Sequence, residues 1–218
     1  MTTPRAVATE LNQLFDYLES KGIVYYWNPI DEAPQHVSWH STTNEPFLSN
    51  HDDISVASYI YWLRNGMYSA VLADGSLLQI TYFFDGNRIM GHRLAFVPCP
   101  VTIDQSMVAD GLPLADVVEL HLATADQVLM KSMIRFDFDP LNARPRHPEA
   151  HLTLNSIECR IACVSPLRIG RFIDFVFRNF YPTFHEQDPY LQQMPQSGWF
   201  DNTIVEDDRR SLHVAWAG

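Results

Sequence analysis

The chain has 218 residues, 46% of them hydrophobic and 12% aromatic, which is enough apolar material for a sizeable core. Its formal net charge of −11 excludes general, sequence-independent binding to DNA or RNA, because that affinity comes from Lys and Arg neutralising phosphates. No apolar run approaches the ~20 residues of a membrane-spanning helix, and MTTPRAVATELNQ lacks the apolar block of a secretory signal, so a cytoplasmic protein without a membrane partner is expected.

In chain order, the first element is an amphipathic helix over 6–20, with Leu11, Leu14, Phe15 and Leu18 on one face and Gly22 as its stop. IVYYWNPI reads as a strand ending at Pro29, and HVSWH (36–40) as a second, short one. Asp52 and Asp53 are placed to cap a helix through SVASYIYWLRNG that stops at Gly66. The stretch from Met67 to Pro98 carries two turn signals, Asp74-Gly75 and Asp85-Gly86, between aliphatic and aromatic runs; this is the pattern of a three-stranded antiparallel meander.

Beyond Pro98 and Pro100 a looser segment leads to a helix over 114–122 with Val117, Val118 and Leu122 on one face. Residues 133–138 alternate strictly, so Ile134, Phe136 and Phe138 face the core and a charged row of Arg135 and Asp137 faces away from it. HLTLN and CRIACV form an antiparallel pair across Ser156. Pro166 opens a helix to Asn179 whose stripe is Ile169, Phe172, Ile173, Val176, Phe177 and Phe180. Residues 183–218 read as an extended tail fastened at Trp199, Phe200 and Trp216. The expected architecture is one α+β domain over 1–218, a largely antiparallel sheet packed by the first helix and the helix near 166–180.

Chemistry concentrates in RFDFDPLNARPRHPEAHLTLN, residues 135–155. Residues 131–182 hold eight of the fifteen basic residues against five acidic ones, a local excess of three positive charges in an otherwise acidic chain. The basic residues are almost all Arg, whose planar fork grips phosphate or carboxylate and tolerates partial burial; internal pairing with the chain's own carboxylates is the competing use. If 150–155 is a strand, His151, Thr153 and Asn155 share one face, beside Arg135 and Asp137 of the preceding strand and His147 of the loop.

An imidazole titrates near neutrality, a carboxylate fixes its tautomer and Arg steadies a developing phosphorane charge, so these are the parts of a metal-independent ribonuclease or phosphodiesterase acting on RNA or a nucleotide. His151 takes the role of proton-transfer group, His147 the complementary acid or base, and Asp137 orients an imidazole. Arg135, Arg160, Thr153, Arg144 and Arg146 are the phosphate or ligand contacts. The reading needs the two imidazoles and the Arg135 guanidinium to meet in a solvent-reachable hollow. A structural alternative stays open for each residue, with His147 capping a Pro turn, His151 satisfying a carbonyl and Arg135–Asp137 forming a strand ion pair.

A second functional reading is a non-catalytic binding or adaptor subunit with a protein partner, as in a toxin–antitoxin or phage-defence assembly. His36-Val-Ser38-Trp39 and His151-Leu-Thr153-Leu154 also fit the paired His-x-[Ser/Thr]-hydrophobic pattern of two-histidine phosphoesterases. No metal or cofactor is expected. Gly75, Gly86 and Gly91 do not assemble a phosphate-cradling loop, and Cys99, Cys159 and Cys163 lack the second pair of a zinc ribbon and sit as reduced thiols. His40, His51, His92 and His121 read as surface or packing residues. Tyr59, Tyr61, Trp62 and Tyr68 suit a core better than base stacking.

The segments YSAVLADGSLLQITYFFDG, GHRLAFVPCP, IRFDFDP, HPEAHLTLN, CRIACVSPL and GRFIDFVFRNFYP, in that order over roughly residues 65 to 182, resemble the bacterial proteins grouped as domain of unknown function 2290. That resemblance implies no particular activity. More loosely, an Arg-Phe-Asp strand followed by a His-bearing Pro loop and a His strand is similar to the TumE-type toxins, which implies a ribonuclease.

Overall fold

The computed structural model describes residues 2–40, 55–125, 128, 130–156, 158–196 and 200–216. Helix α1, Pro4–Ser20, begins two residues ahead of the apolar periodicity because the Thr3 side chain accepts from the Ala6 amide and Pro4 occupies the first turn, where its missing N–H costs nothing. Its buried stripe runs through Val7, Leu11, Leu14, Phe15 and Leu18. Strand β1 (Val24–Trp27) ends at the Asn28-Pro29 corner. A hairpin of β2 (Ile30–Ala33) and β3 (His36–Trp39) follows, of which only the second strand was legible as β. Helix α2, Val56–Arg64, is capped by Ser55, whose side chain accepts from the Ser58 amide; Asp52 and Asp53, the expected caps, lie outside the described residues.

The meander is present as β4 (Ala70–Leu72), β5 (Leu77–Asp85) and β6 (Arg88–Val97), all antiparallel. Gly86, at φ +57°, supplies the left-handed turn that lets Asp85 pair with Arg88 across two residues. After the short helix α3 (Gln105–Ala109) and α4 (Leu114–Thr124), the chain re-enters the sheet as β7 (Ile134–Phe138), β8 (Ala150–Leu154) and β9 (Arg160–Ala162). Among the described residues the sheet has nine strands in the order β1-β4-β5-β6-β7-β8-β9, with β3 also along β5 and β2 outside it. Helices beside this mostly antiparallel sheet make an α+β fold.

Helix α5, Ile169–Phe180, packs on one face of the sheet together with α1, closing a core of Leu78, Ile80, Tyr82, Leu94, Phe96, Phe136, Phe172, Ile173 and Phe177. It starts three residues after Pro166 because Leu167 is tied to the sheet: its amide donates to His92 Nε2 at 2.9 Å and its carbonyl accepts from the Tyr82 hydroxyl at 2.9 Å. The opposite face carries a second core, in which Tyr59, Trp62 and Leu63 of α2 and Val117 and Val118 of α4 cover Leu77, Ala95 and Val97. Tyr59, Trp62 and Tyr68 are thus core residues, while Tyr61 is exposed.

The region after Tyr181 is not extended throughout. Pro182 and Pro189 each open a short helix, α6 (Pro182–Gln187) and α7 (Pro189–Gln193), the second capped by Asp188, which accepts from the Leu191 amide and from Tyr17 of α1 at 2.6 Å. Proline in a polar stretch reads as a helix breaker, yet here it pre-sets the first turn twice. The chain then runs back along the sheet edge as a strap. Phe200 stacks edge-on against His92 and Phe138, the one-turn helix α8 (Glu206–Arg209) follows, Val214 bridges Cys163 in parallel, and Trp216 lies under Arg171. Trp199 lies outside the described residues. No helix among them is long and apolar enough to cross a membrane.

Candidate functional site

Cross-strand register builds the polar cluster. Arg93 of β6 faces Asp137 of β7, which faces His151 of β8, which faces Ala162 of β9. One row along, Ala95 faces Arg135, Arg135 faces Thr153 and Thr153 faces Arg160. Directly opposed residues share a face, so all of these project from the side of the sheet that also bears the second core. Five of the predicted site residues, Arg135, Asp137, His151, Thr153 and Arg160, come together this way. His147 joins them from the loop, its ring centroid 4.9 Å from that of His151.

The charged row does not face solvent. Arg135 is 8% exposed, Asp137 5%, His151 2% and Thr153 1%, so the expected solvent-reachable hollow over these four is absent. Neighbouring Ala95 is covered by the second core, a layer that the alternation of β7 alone does not reveal. Only the margin of the cluster reaches water: Arg93, His147 and Arg160 are half-buried, and Arg144 and Arg146 are exposed.

Asp137 anchors the interior. Its Oδ2 accepts from Arg135 Nε at 2.6 Å, and its Oδ1 lies 3.5 Å from Arg93 Nε. Arg93 carries no motif of its own; it enters the cluster through the β6–β7 pairing, and the meander pattern indicates only that it shares a face with Ala95. The orientation of His151 comes from elsewhere. Its Nδ1 is 2.9 Å from the carbonyl of Pro148, which can only accept, so the ring proton sits on Nδ1. Asp137 Oδ2 is 3.5 Å from Nε2, longer than a hydrogen bond. Burial pushes the His151 imidazole below its ordinary pKa against the pull of Asp137, leaving Nε2 as an unprotonated nitrogen. His147 is also shifted down, first by burial and then by the nearby Arg160 and Arg144 guanidinium groups.

Four buried polar atoms of the cluster have no hydrogen-bond partner: Thr153 Oγ1, Arg160 Nε, His147 Nδ1 and the carboxylate oxygen Asp137 Oδ1. Such atoms are costly unless something occupies the space between them. The loop that carries His147 is itself strained. Arg144 and His147 exchange both backbone hydrogen bonds around Pro145-Arg146, and Arg146 adopts φ +65°, the left-handed conformation a type II turn normally gives to Gly or Asn. A cavity of about 370 Å³ opens beside this turn, lined by Arg144, Arg146 and His147 and by three carboxylates, Glu149, Asp207 and Asp208.

Other arrangements considered from the sequence do not assemble. His36 is bonded to Asp31 and Ser38 to Thr81, and β3 stands four strand spacings from β8, roughly 19 Å. The two-histidine phosphoesterase arrangement is therefore not formed. A larger hollow of about 680 Å³ at the β5–β6 hairpin is lined by Asp85, Glu149 and Asp201 against Arg88; its excess of carboxylates makes it a poor anion site despite its size. His92 is a core residue with Nε2 committed to Leu167, and burial drives its pKa down to about 4. His40 is exposed, His121 binds the Val117 carbonyl, and His51 lies outside the described residues. Cys99 and Cys163 are buried free thiols and Cys159 an exposed one; among the described residues no group of three His, Cys, Asp or Glu could hold a metal ion.

Comparison with known proteins adds a family and no activity. No curated protein and no solved structure gives a significant match. One family model, described as an uncharacterized conserved protein (DUF2290), matches residues 24–216, from β1 through the strap to Trp216. With nearly the whole chain inside that match, including every strand of the sheet and the entire polar cluster, the chain belongs to the DUF2290 family.

Proposed function

We propose that the chain binds a phosphate-bearing nucleotide or RNA at the margin of the cluster, where His147 and Arg160 reach water, and cleaves a phosphodiester there without a metal once the strained Arg144–His147 turn moves aside to uncover His151 and Thr153. The observation that carries this reading is the set of unpartnered polar atoms, Arg160 Nε, Thr153 Oγ1 and His147 Nδ1, gathered around two imidazoles held neutral. A phosphate oxygen would satisfy the guanidinium and hydroxyl donors together, and Arg135 adds positive charge behind them. His151 Nε2 takes the proton of the attacking hydroxyl as the new P–O bond forms. His147, whose pKa rises once a phosphate offsets Arg160 and Arg144, returns a proton to the leaving oxygen as the old P–O bond breaks.

The test is hydrolysis of RNA and of nucleotide diesters by the full chain in the presence of a chelator. His151→Ala and His147→Ala are expected to abolish turnover while the thermal transition persists. Unchanged turnover in a folded His151→Ala protein, or none in the wild type, would remove the catalytic reading.

One observation favours a non-catalytic binding or adaptor role instead. Arg144 and Arg146 are exposed, make no ion pair among the described residues, and are presented on a strained turn, which suits an acidic surface of a protein partner. Under that reading the buried Arg135–Asp137–His151 set is structural. Reversing the charge of Arg144 or Arg146 then releases a co-purifying partner, and no turnover is seen with any substrate.

A further inference from the structure

The hollow of about 680 Å³ at the β5–β6 hairpin lies apart from the polar cluster. Its wall includes Phe138, which alternates with Asp137 along β7 and so leaves the opposite side of the sheet. The volume falls within the range of small-molecule pockets, about 300–1,000 Å³. Segments distant in sequence close around it: Ile89 and Met90 of β6, Phe138 of β7, Pro166 ahead of α5 and Phe200 of the strap. The aromatic wall is set by contacts of its own. Phe138 and Phe200 pack edge-on with ring centroids 5.9 Å apart, and both rest on His92, which is 1% exposed and tied to the Leu167 amide.

On this apolar frame one sign of charge is in excess. Asp85 ends β5, Glu149 precedes β8 and Asp201 belongs to the strap, and none of the three carboxylate groups has a hydrogen bond or ion pair among the described residues. Arg88 is the one guanidinium in the lining. The hairpin register sets it opposite Asp85, which leaves Glu149 and Asp201 without a counter-charge. Carboxylates beside a low-dielectric wall concentrate cations between them, and the net charge of −11 adds to that field. A further atom lacks a partner: Thr203 lines the same hollow, and its Oγ1 is buried with no hydrogen bond. A hydroxyl oxygen in that position accepts from an N–H donor.

We propose that this hollow binds a small organic amine in its protonated form, an ammonium carried on an apolar, aromatic body. The body lies against Phe138, Phe200, Ile89 and Met90, which remove it from water and, at the ring faces, attract the cation. The ammonium donates to Glu149, Asp201 and Thr203 Oγ1, acceptors that no other group in the chain uses. A quaternary ammonium, which has no N–H, leaves Thr203 unsatisfied, and an anion meets the carboxylates head-on. The site shares no group with the cluster of His147, His151, Thr153 and Arg160, so it stands whether or not that cluster cleaves a phosphodiester.

The experiment is calorimetric titration of the full chain with three probes that share one aromatic body: phenethylamine, its neutral counterpart phenethyl alcohol, and phenylacetate. The amine is expected to bind at least about 10-fold more tightly than the alcohol, the size expected from one charge-assisted hydrogen bond, and phenylacetate is expected not to bind. Glu149→Gln combined with Asp201→Asn should remove the preference for the amine while circular dichroism shows an unchanged fold, since neither carboxylate holds another part of the chain. Asp201→Asn alone, at an exposed position, should lower the preference several-fold and serves if the double variant loses its thermal transition. Equal affinity for amine and alcohol overturns the cation assignment, as does tighter binding of phenylacetate. A preference that survives in the variants places the amine elsewhere and overturns the site, and so does failure of the amine to bind at millimolar concentration.

Discussion

Replacing Asp137 by Asn tests whether the interior of the cluster is as closed as the geometry implies. The carboxylate and its main partner are both nearly inaccessible, with side chains 6% exposed for Asp137 and 10% for Arg135, and their contact is 2.6 Å. Asp137→Asn keeps the shape but leaves the Arg135 guanidinium buried without a counter-charge, a loss that costs about 3–5 kcal/mol when one partner of a buried pair is removed. Arg93, with a side chain 31% exposed, can turn outward and adds little. Against a total stability of about 5–15 kcal/mol this is a large fraction, and with a urea m-value of about 2–3 kcal/mol/M the midpoint falls by roughly 1–2.5 M. Arg135→Met combined with Asp137→Leu removes both charges and should return to within about 2 kcal/mol of the wild type. Equilibrium urea unfolding followed by circular dichroism measures all three proteins. If Asp137→Asn shifts stability by less than about 1 kcal/mol, the pair is solvated and the face of β7 is open after all.

Lowering the pH should destabilise the fold through His92. Its folded pKa of about 4 lies below the ordinary 6.5, so the unfolded chain takes up the proton first and stability falls as the pH drops between those values, by about 3 kcal/mol in all. His147 and His151, also shifted down, contribute with the same sign; His92→Gln is expected to remove only the His92 share of the slope, and an unchanged slope would contradict the assignment. Arg146→Gly relieves the left-handed strain at φ +65° and should raise stability by about 0.5–1 kcal/mol in thermal unfolding while weakening binding of the acidic ligand or partner. Gly170→Ala places a Cβ 2.2 Å from the Pro195 carbonyl oxygen where the chain after α7 crosses α5, with an expected cost of about 1–3 kcal/mol and faster proteolysis after residue 193.

Features set by neighbours in the chain were legible before any coordinates. The stripe of Leu11, Leu14, Phe15 and Leu18, the Asp-Gly turns of the meander and the alternation of Ile134, Phe136 and Phe138 each depend on residues a few positions apart, and each appears as expected. That Arg135 and Asp137 lie beside His151 and Thr153 was legible for the same reason, since β7 and β8 are consecutive antiparallel strands. Pairing over long separations was not. That Arg93 reaches Asp137 depends on β6 lying beside β7 across two intervening helices, and the covering of Ala95, opposite Arg135, depends on the second core that α2 and α4 bring to that face. Likewise the late start of α5 follows from bonds that Leu167 makes to His92 and Tyr82, 75 and 85 residues earlier. Local periodicity fixes which way a side chain points along its strand; whether water meets it there is settled by what distant segments bring over it.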